Sequence, residues 1–127
     1  MLSDKALDVY TNRMDEYWSP GVLSQGFVGV PIWLLESRLF IKLNPSQFLV
    51  LITLCSFRYS NQAVFPTVQT ISRRCGVDER SVRRATAKME KLGLINKVRR
   101  FGSSSYYDLN PLTETLEYYL DLRNRTD

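Results

Sequence analysis

The sequence predicts a mainly α domain carrying a small β-hairpin, and three observations lead to it. Helix-starting residues recur, as in Asn44-Pro45-Ser46-Gln47, Pro66-Thr67, Asp78 and Asn110-Pro111. At such positions a short polar side chain accepts from the free N–H groups of a first turn. Behind Asp78 and Asn110 apolar residues repeat at three- and four-residue intervals, the period of one helix face. Residues 94–109 read instead as two short strands about a Phe101-Gly102-Ser103-Ser104 turn.

Taken in order, Ser3 caps a first helix running to about Trp18, with Leu7, Tyr10, Met14 and Trp18 on one side. Ser19-Pro20-Gly21 stops it. Residues 19–30 are expected as a loop or extended chain, and Pro31-Ile32-Trp33-Leu34-Leu35 as a short helical turn. Asn44 caps the next helix, with Pro45 in the first position and Gln47 placed to complete a capping box. That helix runs to about Tyr59 and is apolar nearly all round, as a central core helix should be. A loop at 60–63 follows, and Val64-Phe65 is a short strand or extended lead-in. The last helix, from Asn110-Pro111, carries Leu112, Leu116, Tyr119, Leu120 and Arg123. The chain is thus read as one domain of 127 residues, 44% apolar, enough for a modest core. Its parts are an N-terminal helix and loop (1–25), a core (26–109) and a C-terminal helix (110–127).

Residues 66–93 are the most informative stretch. Ile71 and Cys75, four apart, share one face of a short helix that Thr67 caps. Gly76 supplies the left-handed backbone of a sharp stop. Val77 sits in the angle, and Asp78 caps a second helix whose Val82, Ala85, Met89 and Leu92 form one stripe. This is a helix-turn-helix. Advancing about 100° per residue, Arg80, Arg84, Ala87 and Lys91 point away from the stripe, with Arg83 and Lys88 on its flanks. A helix that is merely solvated mixes charge signs to make i,i+4 pairs, whereas five of these six positions are cationic. Ala87 is small enough to let base edges approach and to touch a thymine methyl.

The segment after Gly93 extends the surface. Leu94 through Arg100 forms a basic strand, and Ser105-Tyr106-Tyr107-Asp108-Leu109 returns as its partner. A basic hairpin behind such a helix is the wing of a winged helix-turn-helix, flanked here by N- and C-terminal helices. Between Arg73 and Arg100 there are ten Lys/Arg against three Asp/Glu, a net of +7, which leaves −3 on the remainder of a chain totalling +4. A basic stripe on an acidic body is the footprint of a polyanion, and the lack of large apolar side chains on that helix face favours nucleic acid over a membrane.

Composition excludes other classes. No apolar run is long enough to cross a bilayer, and the N-terminus has no secretory pattern, so the expected location is cytoplasmic. Cys55 and Cys75 are expected as buried free thiols. There is no histidine, so no zinc site of ordinary spacing and no histidine acid–base chemistry. Nor do Gly21, Gly26 and Gly29 form a phosphate loop. Neither an enzyme, a cofactor nor a metal is expected, and no small-molecule ligand is evident.

From Gly26 through Leu109 the chain resembles the winged-helix domain of plasmid and phage replication-initiation and regulatory proteins. The residues carrying the resemblance are Val30-Pro31, Leu34-Leu35, Phe65-Pro66-Thr67, Gly76-Val77-Asp78, Arg80-Ser81-Val82-Arg83-Arg84-Ala85, Leu92-Gly93-Leu94-Ile95 and Tyr107. Ser72 departs from it, standing where alanine is usual. The resemblance implies a winged-helix fold and DNA binding. A sequence-specific double-stranded DNA-binding regulator of a mobile element is expected, with an origin-binding replication initiator and a winged-helix protein-interaction module as alternatives. The resemblance implies that initiators of this kind usually carry a further domain, so a chain ending at residue 127 is expected to be a regulator unless it is a fragment.

In this reading the 78–92 helix enters the major groove, and the 94–109 wing reaches the backbone or the minor groove. The expected contact set is Thr67, Arg80, Ser81, Arg83, Arg84, Ala87, Lys88, Lys91, Lys97, Arg99, Arg100, Ser103 and Ser104. Arg80, Arg83 and Arg84 read bases, whereas Thr67, Lys88, Lys91, Arg99 and Arg100 bind phosphate. Helices 3–18 and 112–123 are expected to serve as arms of a homodimer.

Overall fold

The computed structural model describes residues 14–60, 62–99 and 105–126. Helical residues 14–17 open it, followed by α1 (Pro20–Leu23), α2 (Ile32–Ile41), α3 (Pro45–Cys55), α4 (Val68–Cys75), α5 (Glu79–Lys91), β1 (Asn96–Val98), β2 (Tyr106–Asp108) and α6 (Asn110–Thr126). The mainly helical architecture with one antiparallel hairpin is the expected one. Residues 3–13 of the expected first helix and the hairpin turn 101–104 lie outside the described residues.

The N-terminal region differs from expectation in two places. Ser19-Pro20 ends one helix and starts another: Ser19 accepts from the Val22 N–H at 3.2 Å and Pro20 takes the first position, so 20–23 form a helical turn within the expected loop. The expected short turn at 31–35 is a ten-residue helix. It is held from outside, because Trp33 donates its Nε1–H to the Leu116 carbonyl at 2.8 Å and Arg123 lies 4.6 Å over the Trp33 ring. These contacts seat α2 against α6, and no local periodicity encodes them. Lys42, at φ 62°, then turns the chain into the Asn44 cap.

Asn44 and Gln47 form the expected capping box, with bonds of 2.8 and 3.1 Å. The helix they start ends at Cys55 rather than near Tyr59. Its Val50, Leu51 and Leu54 are fully buried and meet Ile71 of α4 and Val82, Ala85 and Met89 of α5 in one core. Removing a methylene group from such a core costs on the order of 1 kcal/mol, and truncating a large aliphatic to alanine roughly 2–5 kcal/mol. Cys55 and Cys75 are free but only partly buried, packed at the edge of this core; burial pushes the Cys55 thiol above its ordinary value.

The end of α5 is a Schellman turn. Gly93, at φ 75°, sends its N–H to the Glu90 carbonyl at 3.0 Å, and Leu94 sends its own to Met89 at 2.9 Å. Leu94 thereby enters the core, while Leu92, assigned by its spacing to the buried stripe, stands on the rim and is 38% exposed. Leu92 still donates its N–H to the Lys88 carbonyl at 2.9 Å, but ten steps of about 100° from Val82 carry it to the edge of the stripe, where the last turn is open to solvent. β1 and β2 pair with Lys97 opposite Tyr107, and Tyr107 exchanges both backbone bonds with Val64 at 2.8 and 2.9 Å. The lead-in to α4 is therefore stitched to the wing. No helix among the described residues is long and apolar enough to cross a membrane.

Candidate nucleic-acid interface

Two capped helices set the geometry. Thr67 accepts from the Thr70 N–H at 3.1 Å to start α4, and Gly76, at φ 75°, ends it. Asp78 starts α5 by accepting from the Ser81 N–H at 3.0 Å and the Ser81 hydroxyl at 2.7 Å. These two bonds, the hydroxyl first, hold the Asp78 carboxyl below the usual carboxylate range. They also engage the Ser81 hydroxyl in the cap, so this member of the expected contact set is half-buried and committed to its own helix.

Beyond the cap, α5 has two sides. Val82, Ala85, Thr86 and Met89 are buried, whereas Arg80, Arg83, Arg84, Ala87 and Lys91 are exposed and Lys88 is half-exposed. Thr86 solves its own burial by donating to the Arg83 carbonyl at 3.1 Å. The cations divide further. Arg83 lies 3.6 Å from Glu79 one turn back, and Arg99 of the wing lies 3.4 Å from Glu90. The ion pairs among the described residues do not involve Arg80, Arg84, Lys88 or Lys91. Pairs this exposed are worth little and exchange readily for a phosphate. A positive ridge remains, and Ala87 makes a low point within it.

The wing side of the ridge closes into a cleft of about 220 Å³ between the α4 N-terminus and the hairpin. Thr67, Gln69, Arg83, Lys97, Ser105 and Tyr107 line it. Lys97 lies 5.9 Å from the Tyr107 ring centre. Burial pushes its ammonium below the ordinary lysine value; Arg99 and Arg83 add to the depression and Glu90 opposes it. Burial pushes the Tyr107 phenol up, and the same two arginines pull it back. Burial sets both shifts first, and Arg83 and Arg99 act on both groups; with Arg83 and Lys97 lining it at the start of α4, the small space suits an anion.

Thr67, Arg83 and Lys97 of the expected set thus meet at this cleft, and Arg80, Arg84, Ala87 and Lys91 share the ridge. Arg100, Ser103 and Ser104 lie outside the described residues. Gln69 and Ser105 were not singled out by spacing, because neither is cationic nor on an apolar stripe; the Pro-Thr-Val-Gln helix start was the available signal for Gln69.

Residues 42–95 match a family described as a helix-turn-helix domain. The fold is a winged helix-turn-helix. Its overall shape is similar to the N-terminal domain of the DnaD protein from Geobacillus kaustophilus HTA426, with a TM-score of 0.63 and 21% identity over 98% of this chain and 96% of that one. None of the curated proteins matches. In helix-turn-helix proteins bound to DNA the second helix of the motif, to which α5 corresponds in position, is the one that enters the major groove.

Proposed function

We propose that the chain is a sequence-specific double-stranded DNA-binding protein without enzymatic activity, acting as a regulator of a mobile element. α5 enters the major groove, where Arg80 and Arg84 address base edges and Ala87 permits close approach. Arg83 joins them once it exchanges Glu79 for DNA. Lys88, Lys91 and Arg99 neutralise phosphates, and the cleft of Thr67 and Lys97 seats one more. The observation that carries this reading is the ridge of Arg80, Arg84 and Lys91, exposed and outside the ion pairs of the described residues.

Selection from a random duplex library, followed by titration of the winning site against salt, tests it. With about six phosphates neutralised, the slope of log K on log salt should be near −5. Recovery of no preferred sequence would overturn specific readout. Iterated copies of the selected site at an origin would assign the chain to replication initiation instead of regulation.

A homodimer belongs to the same reading. Tyr17, Trp18, Phe27, Ile32 and Leu35 near the start of the described chain, with Tyr118 and Leu122 on α6, are exposed large apolar side chains. Covering them with a second copy would present two α5 helices to half-sites about one helical turn apart. Sedimentation of a monomer alone, with and without DNA, would remove this part.

A further inference from the structure

Across Pro66 from the cationic cleft lies a second depression, of about 520 Å³ and different character. Phe57, Tyr59, Ala63, Val64 and Phe65 line it, and Pro66 forms a wall of both spaces. Its rim is aromatic and open to solvent: Tyr59 is 94% exposed and Phe65 58%. The Phe65 ring leans on Tyr106 of β2, centres 5.4 Å apart, and the Arg74 guanidinium covers the Phe57 ring at 3.9 Å. At 94% exposure the Tyr59 ring contributes almost no buried area to the core.

Charge indicates what covers it. The lining segment 57–66 has no acidic residue and includes Arg58, and Arg74 lies over its Phe57 ring. A flat, uncharged ring surface inside an acid-free, arginine-bearing segment suits a polyanion that also carries flat rings. Position indicates the same. A strand whose phosphate sits at Thr67 and Lys97 meets the aromatic rim immediately on the other side of Pro66.

We propose that this groove binds single-stranded DNA, with unpaired bases stacked on Tyr59 and Phe65 and the Arg74 guanidinium beside them. The ligand is a strand leaving a duplex, so the inference rests in part on the duplex reading above. Stacking of this kind is indifferent to base identity, since every base offers a π face. It adds to α5 readout a preference for DNA that is locally melted or forked.

Anisotropy titrations of the full chain with a blunt duplex, the same duplex bearing a single-stranded arm, and oligothymidylate test the proposal. The armed duplex should bind more tightly than the blunt one. Tyr59→Ala and Phe65→Ala should each weaken the armed duplex and oligothymidylate roughly fivefold to hundredfold and leave the blunt duplex unchanged. Tyr59→Trp, which keeps a stacking face, should retain binding to the arm. Equal affinity for armed and blunt duplex overturns the proposal, as does equal weakening of all three probes by Tyr59→Ala. Self-association abolished by Tyr59→Ala would assign the groove to a second copy and likewise overturn it. A wild-type chain that binds no DNA at all removes the duplex reading too, whereas tight blunt-duplex binding indifferent to the arm removes this inference alone.

Discussion

The Arg99 guanidinium of the wing lies 3.4 Å from the Glu90 carboxylate of α5. The pair joins the two parts of the surface proposed to face a duplex, and in that proposal it holds a cation that phosphate would otherwise claim. Exposed pairs of this type contribute at most about 1 kcal/mol to folding. Glu90→Gln should therefore leave urea stability nearly unchanged while strengthening binding to cognate and random duplexes alike. Arg99→Ala should weaken both alike and reduce the salt slope by about one. A loss of affinity in Glu90→Gln would show that the pair orients Arg99 productively rather than sequestering it.

Arg84 stands on the open face of α5, outside the ion pairs of the described residues. Replacing it with alanine should reduce cognate affinity by roughly tenfold to hundredfold, the worth of a bidentate arginine–guanine contact, and leave random duplex nearly unaffected. Titration of both probes at fixed salt measures the difference. A uniform loss would make Arg84 a phosphate contact.

Gly76 holds φ 75° with open space where a Cβ would stand. Its substitution cost is therefore backbone strain alone. Gly76→Ala should destabilise the fold by about 1–2 kcal/mol, and Gly76→Asn by less, because asparagine tolerates the left-handed region. Urea denaturation of the two variants gives the comparison.

Ile71 is fully buried between α3 and α5. Ile71→Ala should cost roughly 2–5 kcal/mol in the same assay. At temperatures where the variant stays folded its duplex affinity should match the wild type, which separates packing from contact.

Asp78 caps α5 with a carboxyl held below its usual range by the Ser81 bonds. A depressed folded value means the group binds protons more readily unfolded than folded. Its stabilisation is therefore complete above the unfolded value and is lost as pH falls through the folded one. Acid unfolding followed by circular dichroism should show this limb in the wild type. Asp78→Asn should retain a cap without the limb, and Asp78→Ala should lose both.

What could be read from sequence follows a physical division. The caps at Asn44, Thr67 and Asp78 and the turn at Gly76 are local: each depends on neighbours three or four residues away, and each was legible. The outward cations of α5 were legible for the same reason, since one helix period fixes their direction. The length of α2 was not, because the Trp33–Leu116 bond that supports it spans 83 positions. Leu92, at the edge of the stripe on the last turn, stands at the rim instead of in the core. The pairing of Arg83 with Glu79 was implicit in an i,i+4 spacing, but the outer face had been weighed by sign alone. The cleft needed the hairpin folded back onto the α4 start, a juxtaposition only tertiary structure supplies.

The Val64–Tyr107 bridge fixes more than a strand edge. It ties the segment entering α4 to the hairpin, so Thr67 and Lys97 stand at a separation set before any duplex arrives. Little conformational freedom is then left to surrender on docking, and encounter becomes a collision between two nearly rigid bodies. Association should accordingly be fast, electrostatically steered and steeply slowed by added salt. Differences between target sequences should reside in how long each complex survives.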